Sequence, residues 1–203
     1  MNLKKILPVF SYIFHPIFIP VYAALLYFFL NDSYYTNLEK YFALFQIVVI
    51  TIVLPILTFF ILRATGQVTS IMVADISQRK IPLVIQCFLT ILLLRKSITL
   101  EHFPEFYFFF LGGLSSTILA LILLFFKTKA SLHMVAISAL TIFIIGLSIH
   151  NQHRNLNMIA VLVLINGFVA SSRLELKAHT PKELVIGFLS GALPQLFLLS
   201  FWL

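Results

Sequence analysis

Twelve residues near the C-terminus, Ser172 to Glu183, combine an arginine, a histidine and a carboxylate at short spacing. Arg173, His179 and Glu183 lie six and four positions apart, and an apolar segment begins directly after Glu183. A guanidinium presents a planar pair of donors that suits phosphate oxygens, and a neutral imidazole is a nucleophile. These residue types predict a site that binds a phosphate group and attacks it at a membrane surface.

The end of this segment also has the pattern of a helix start. Thr180, Pro181 and Glu183 occupy the N-cap, first and third positions of a capping box. Glu183 therefore has two interpretations, as a helix cap alone or as the partner of His179. Because the N-terminus of a helix carries a partial positive charge, it favours a bound anion and a neutral imidazole at His179.

A second polar group, around Ser131 and His133, precedes another apolar run. Ser131 fits a helix N-cap, and a lone histidine at such a place is commonly an interfacial side chain. Two histidines at helix starts on one membrane face, however, allow a division of labour: one attacks phosphorus, and the other gives a proton to the leaving oxygen.

The third group is Arg79 and Lys80, at the start of a further apolar run. These cations fit either a positive membrane anchor or a phosphate site. His15, next to Pro16, is interpreted as a packed or kink-associated residue rather than a ligand. His150 and His153 lack an accompanying carboxylate or thiol, so we expect no metal site there.

These groups are set among long apolar runs. The chain of 203 residues is 61% apolar and 10% charged, whereas soluble proteins have roughly 25% charged residues. Long continuous apolar runs predict membrane-spanning helices. Gly187 and Gly191 form a GxxxG pair, which is typical of close helix packing. We predict one all-α, polytopic membrane domain over residues 1–203, with about seven spans: 8–30, 41–62, 81–100, 106–126, 133–149, 157–171 and 184–203.

Charge is distributed unequally between the two membrane faces that these spans define. The face with the N-terminus and loops 63–80, 127–132 and 172–183 holds ten of the fourteen basic residues and three acidic ones, which gives +7. The other face holds four of each sign. The positive-inside rule would make the basic face cytoplasmic, but a site for anionic headgroups would also collect cations, so both explanations stand. We expect an integral protein of the bacterial inner membrane.

The polar groups resemble signatures of a known family. Ser172-Arg173, five residues, His179, three residues and Glu183 resemble the third signature of the type 2 phosphatidic acid phosphatase family, which ends in aspartate. Ala130-Ser131-Leu132-His133 is similar to its second signature, Pro-Ser-Gly-His. The first signature, lysine, six residues and Arg-Pro, has only a shifted counterpart in the segment Arg79 to Pro82.

The resemblance implies a cofactor-free, metal-independent phosphatase with a six-helix core, to which an N-terminal helix is added. It implies that His179 is the nucleophile that forms a phosphohistidine, that Glu183 holds its other ring nitrogen, and that His133 protonates the leaving group. Arg173 and Ser131 are implied phosphate ligands.

Two features of the resemblance leave alternatives open. The missing first-signature cations are Arg79 and Lys80 or, alternatively, Lys129 with Lys127. Leu132 stands where the family has glycine, in addition to glutamate for aspartate at position 183.

The substrate expected from the resemblance is a lipid phosphate within the bilayer: a polyprenyl diphosphate, a phosphatidic acid-type lipid or a phosphorylated glycolipid. A lipid phosphotransferase and a catalytically inactive lipid-binding or scaffold protein are the alternatives. A transporter is disfavoured because the central parts of the runs contain no charged residue. We expect no nucleic-acid partner, and the sequence does not specify an oligomeric state.

Overall fold

The structure, a computed structural model, describes residues 3–69 and 77–203, and over these ranges it is helical and has no β-strand. The all-α fold is confirmed for this part of the chain. The α-helices are α1 (Leu3–Ile13), α2 (Ile19–Leu30), α3 (Asn37–Val48), α4 (Leu54–Ala64), α5 (Lys80–Lys96), α6 (Pro104–Phe125), α7 (Leu132–His150), α8 (Leu156–Glu175) and α9 (Pro181–Leu199). The predicted loop 63–80 lies partly outside the described residues.

Within the described ranges, six helical segments are long and apolar enough to cross a membrane, and they match the last six predicted spans to within four residues at each end. The first of the six, Asn37–Ala64, joins α3 to α4 through a π-helical turn at Val49–Val53. Large apolar side chains project from the bundle surface, among them Phe45 (67% exposed) and Phe197 (68% exposed). Lipid contact accounts for such exposure, and these features together indicate an integral membrane protein.

The predicted first span, 8–30, is divided, so the predicted count of seven spans is not confirmed. Residues 14–18 separate α1 from α2, which contain 11 and 12 residues. At 1.5 Å per residue each is about 17–18 Å long, which is shorter than the roughly 30 Å hydrocarbon core. The break has a local cause, because Pro16 and Pro20 remove backbone donors and Pro16 disfavours helical geometry at His15.

The central helix is α7, and α9 packs most closely against it. A Cβ atom built on Gly187 would lie 2.6 Å from the carbonyl oxygen of Ser131, and one built on Gly191 would overlap the carbonyl oxygen of Val135. The predicted packing role of this glycine pair is therefore confirmed. The close approach lets the Ser131 amide donate a hydrogen bond to the Glu183 carbonyl at 3.1 Å, which joins the starts of the two helices.

Aromatic rings fill the opposite half of the bundle. Tyr27 stacks on Phe106 with ring centroids 4.8 Å apart, and Phe109 lies 4.7 Å from Phe143. The Tyr27 hydroxyl donates to Glu105 Oε2 at 2.8 Å. This cluster packs the end of the bundle remote from loops 127–132 and 172–183.

Candidate functional site

The basic loops meet at one end of the bundle. Lys129 Nζ donates to the Ala178 carbonyl at 3.1 Å, and Arg79 Nη1 lies 3.4 Å from the Ala130 carbonyl that it donates to. Together with the bond between Ser131 and Glu183, these contacts bring the three polar sequence groups to a common place. The starts of α5, α7 and α9 therefore converge, as the predicted topology requires.

His179 and Glu183 form a direct pair. His179 Nδ1 lies 3.0 Å from Glu183 Oε2; because a carboxylate only accepts, the ring proton is on Nδ1 and Nε2 carries the lone pair. The same oxygen accepts from the Thr180 amide at 3.0 Å, and the Glu183 amide donates to Thr180 Oγ1 at 3.3 Å. The predicted capping box is present, and its carboxylate serves the helix start and the histidine at once.

The surroundings keep His179 neutral at physiological pH. Burial lowers the pKa of His179 to about 4, although the hydrogen bond to Glu183 acts in the opposite direction and raises this pKa. The positive charges of Lys129, Arg173 and Arg79 lower this pKa further. The pKa of Lys129 is itself lowered, first by burial and then by the charge of Arg79. A neutral imidazole with a free Nε2 lone pair is the form that can attack phosphorus.

Arg173 and Ser131 contain buried donors without partners. Arg173, in the last turn of α8, is 4% exposed, and its Nε and Nη1 have no hydrogen-bond partner. Ser131 is fully buried at the N-cap of α7, yet its hydroxyl neither caps the helix nor meets another acceptor. Each such donor costs about 1–3 kcal/mol, and more when charged. A bound anion would satisfy both the charge and the unpaired donors of the guanidinium.

His133 is fixed by the N-terminal helix. Its Nε2 donates to the Ser11 carbonyl at 3.0 Å, since a carbonyl only accepts. The Ser11 hydroxyl in turn lies 2.6 Å from the Ser172 hydroxyl, next to Arg173. With Nε2 engaged, Nδ1 is the nitrogen of His133 that is left for proton transfer.

His15 lies in the same cavity as His133, a position that sequence reasoning missed. It stands at the break between α1 and α2, as a kink-associated residue should. Its ring meets that of His133 edge-on with centroids 5.1 Å apart, and its Nδ1 accepts from the Ile17 amide at 3.4 Å. The neutral ring then carries its proton on Nε2. Pro16 and Pro20, which follow His15, were the sequence signal that could have identified this position.

Lys80 is the predicted phosphate ligand that the structure places elsewhere. Its Nζ lies over the Phe125 ring, 5.1 Å from the centroid, and the residue is exposed. Neighbouring residues of a helix point about 100° apart, so Arg79 turns inward, 8% exposed, while Lys80 turns outward. Of the alternative cations, Arg79 and Lys129 therefore lie near His179, and Lys80 makes a cation–π contact at the helix boundary.

A cavity of about 350 Å³ begins at these residues and extends into the bundle. Its polar end is lined by His15, Arg79, His133, Arg173 and His179. The remainder, between α2, α4, α5, α6 and α7, is mainly apolar. Hydroxyl groups along it are satisfied within their own helices; Thr58 and Thr90, for example, donate to the carbonyls four residues earlier at 2.8 Å. The cavity thus pairs a cationic head with an apolar body.

Comparison with known protein families, curated proteins and solved structures gives no match for this chain. Among residues 3–69 and 77–203, no three histidine, cysteine or acidic side chains come close enough together to hold a metal ion.

Proposed function

We propose that the protein is a membrane phosphatase that hydrolyses a lipid phosphate or diphosphate through a phosphohistidine at His179. The observation that carries the proposal is Arg173, whose buried guanidinium has two unpartnered nitrogens at the cavity that His179 also lines. A buried cation without a counter-charge is costly, and a phosphate group would supply both charge and acceptors. The resemblance to the type 2 phosphatidic acid phosphatases favours the same chemistry.

In the first step, the Nε2 lone pair of His179 attacks phosphorus. The P–N bond forms as the bond from phosphorus to the leaving oxygen breaks. His133, whose protonated form is favoured once the anionic phosphate is bound beside it, gives its Nδ1 proton to that oxygen. Glu183 accepts from Nδ1–H of His179 at 3.0 Å throughout, so it stabilises the positive charge that develops on the ring. Arg173 and Arg79 stabilise the phosphoryl oxygens.

In the second step, water replaces the histidine. Neutral His133 takes a proton from water at Nδ1, the new P–O bond forms, and the P–N bond breaks to restore the His179 lone pair. Inorganic phosphate leaves, and His133 is again protonated for the next cycle. If a second lipid hydroxyl enters in place of water, the same site acts as a phosphotransferase.

The proposed substrates are lipids that carry a phosphate group. Polyprenyl diphosphates, phosphatidic acid-type lipids and phosphorylated glycolipids each present a phosphate next to hydrocarbon, as the cavity requires. We place the protein in a bacterial inner membrane, with the site on the basic face.

The deciding experiment measures phosphate release from these three lipid classes in detergent with a chelator present. Wild type should release phosphate and should trap protein-bound phosphate during turnover. His179→Ala should abolish both signals and His133→Ala should slow release by about 10²-fold or more, whereas His153→Ala, an exposed control at the other end of the bundle, should match wild type. Phosphate release that survives His179→Ala would refute the assignment of His179 as the nucleophile. Folded wild type that binds these lipids without turnover would support the inactive lipid-binding alternative.

A further inference from the structure

We propose that the apolar part of the cavity holds one hydrocarbon chain of the substrate and limits its length to roughly ten carbons. This inference rests on the proposed function for the identity of the head group, but its physical basis is separate. It concerns the depth, width and floor of the cavity rather than the chemistry at His179.

The depth follows from the helix that lines one wall. On α6 the lining residues run from Thr117, nearest the polar end, to Phe109, nearest the aromatic cluster. Eight residues at 1.5 Å each give a depth of about 12 Å. A zigzag chain of bonds of about 1.5 Å advances about 1.3 Å per carbon. The cavity therefore accommodates roughly nine or ten carbons below the head group.

The width fits a single chain. The volume of about 350 Å³ includes the polar end, so the apolar part, about 12 Å deep, has a mean cross-section of at most about 30 Å². Carbon atoms in van der Waals contact lie about 4 Å apart, so each chain occupies roughly 16–20 Å² and two chains exceed the available area. A two-chain lipid would have to leave its second chain outside the protein.

The floor is rigid. Phe109 and Phe110 line the deep end, and both belong to the aromatic cluster: Phe109 contacts Phe143 at 4.7 Å, and Phe110 contacts Phe106 at 4.9 Å between ring centroids. These rings are at most 5% exposed. Close-packed rings of this kind move little without loss of packing, so a longer chain does not gain space by displacing them.

Gly113 offers a way to shorten the cavity. It lines the wall four residues below Thr117, about 6 Å down, and a Cβ atom built there meets nothing within 4 Å. Gly167 is a matched control, because it is also helical and also open around its Cβ, but lies on the exposed surface of α8 away from the cavity. Gly113→Leu should fill the cavity at mid-depth, and Gly167→Leu should leave it unchanged.

The test uses alkyl phosphonates of two to sixteen carbons, which cannot be hydrolysed, and measures their affinity for the purified protein by calorimetry in detergent. For wild type, affinity should rise by up to about fourfold per carbon and level off near ten carbons. Gly113→Leu should level off near five, and Gly167→Leu should match wild type. If Gly113→Leu fails to fold, Gly113→Ala should move the plateau by one or two carbons.

The outcomes separate this proposal from the phosphatase proposal. Affinity that climbs through sixteen carbons, or the same plateau in both variants, overturns the single-chain cavity. The expected plateaus without hydrolysis of decyl phosphate support the cavity and refute the phosphatase. Hydrolysis of alkyl phosphates regardless of chain length in wild type and Gly113→Leu refutes the cavity alone. If no phosphonate binds, both proposals fail.

Discussion

Replacing Glu183 by glutamine separates its two roles, as a cap and as the partner of His179. Glutamine serves a capping box as glutamate does, so we expect Glu183→Gln to change the free energy of unfolding by less than about 0.5 kcal/mol. The chain contains a matched control: Thr36 and Glu39 form a second capping box at the start of α3, at the other end of the bundle. Glu39→Gln should likewise leave the unfolding midpoint almost unchanged.

The effect of Glu183→Gln on turnover is expected to be much larger. Replacing a charged acceptor by a neutral one at 3.0 Å costs at least about 1–2 kcal/mol. Unit charges at that distance interact by about 5.5 kcal/mol at an effective dielectric constant of about 20, which is an upper bound because the Glu183 side chain is 24% exposed. We therefore expect kcat for lipid phosphate hydrolysis to fall by roughly 10- to 10⁴-fold.

The assay compares phosphate release by both variants and wild type under saturating lipid phosphate, alongside their thermal unfolding in detergent. Turnover of Glu183→Gln within about twofold of Glu39→Gln would show that Glu183 is a helix cap only. A large loss of both turnover and thermal stability in Glu183→Gln would point instead to a structural failure at the start of α9.

Substitutions and a titration at other residues test the remaining contacts of the site and of the helix packing. Arg173→Met removes two unpartnered buried donors, each of which costs about 1–3 kcal/mol. The ligand-free unfolding midpoint in scanning fluorimetry should therefore rise by several degrees, and stabilisation by phosphate should be lost. A lower midpoint would contradict this cost of the unpartnered donors. Gly191→Ala should lower the free energy of unfolding by about 2 kcal/mol in denaturant titrations because its Cβ meets backbone, whereas Gly167→Ala, in open space, should not destabilise. His179 should titrate with a midpoint near pH 4 in nitrogen NMR. Its neutral form is then present at pH 7 and is lost only as the pH falls through about 4. A midpoint near 6.5 would contradict the lowered pKa of His179. His15→Phe keeps a ring against His133 but removes the Nε2–H of His15 in the cavity, so turnover should fall by about tenfold; unchanged turnover would show that His15 does not contribute to the reaction.

The sequence predicts those features that depend on local chemistry. Apolar runs predict the six long helices because membrane spans must be continuous and apolar, and the order Thr180, Pro181, Glu183 predicts the start of α9 because capping is set within one turn. The spacing of Gly187 and Gly191 likewise predicts a close helix contact.

Features that depend on tertiary packing are not predicted. Arg79 and Lys80 are adjacent and chemically alike, and only the rotation of α5 decides that one enters the cavity and the other lies over Phe125. The unpartnered Ser131 hydroxyl was expected to cap α7, and nothing local to the sequence indicates otherwise. The depth of the cavity depends on where aromatic rings from different helices meet, which no single segment specifies.

The division of the first predicted span changes the meaning of the N-terminal segment. An added helix on a six-helix core would pack on the outside, yet α1 and the following break contribute directly to the candidate site. The Ser11 carbonyl fixes the His133 tautomer, and the Ser11 hydroxyl meets Ser172. His15, in the break between α1 and α2, lines the same cavity. In the proposed mechanism proton transfer requires one defined nitrogen of His133, and the N-terminal segment provides the contact that defines it.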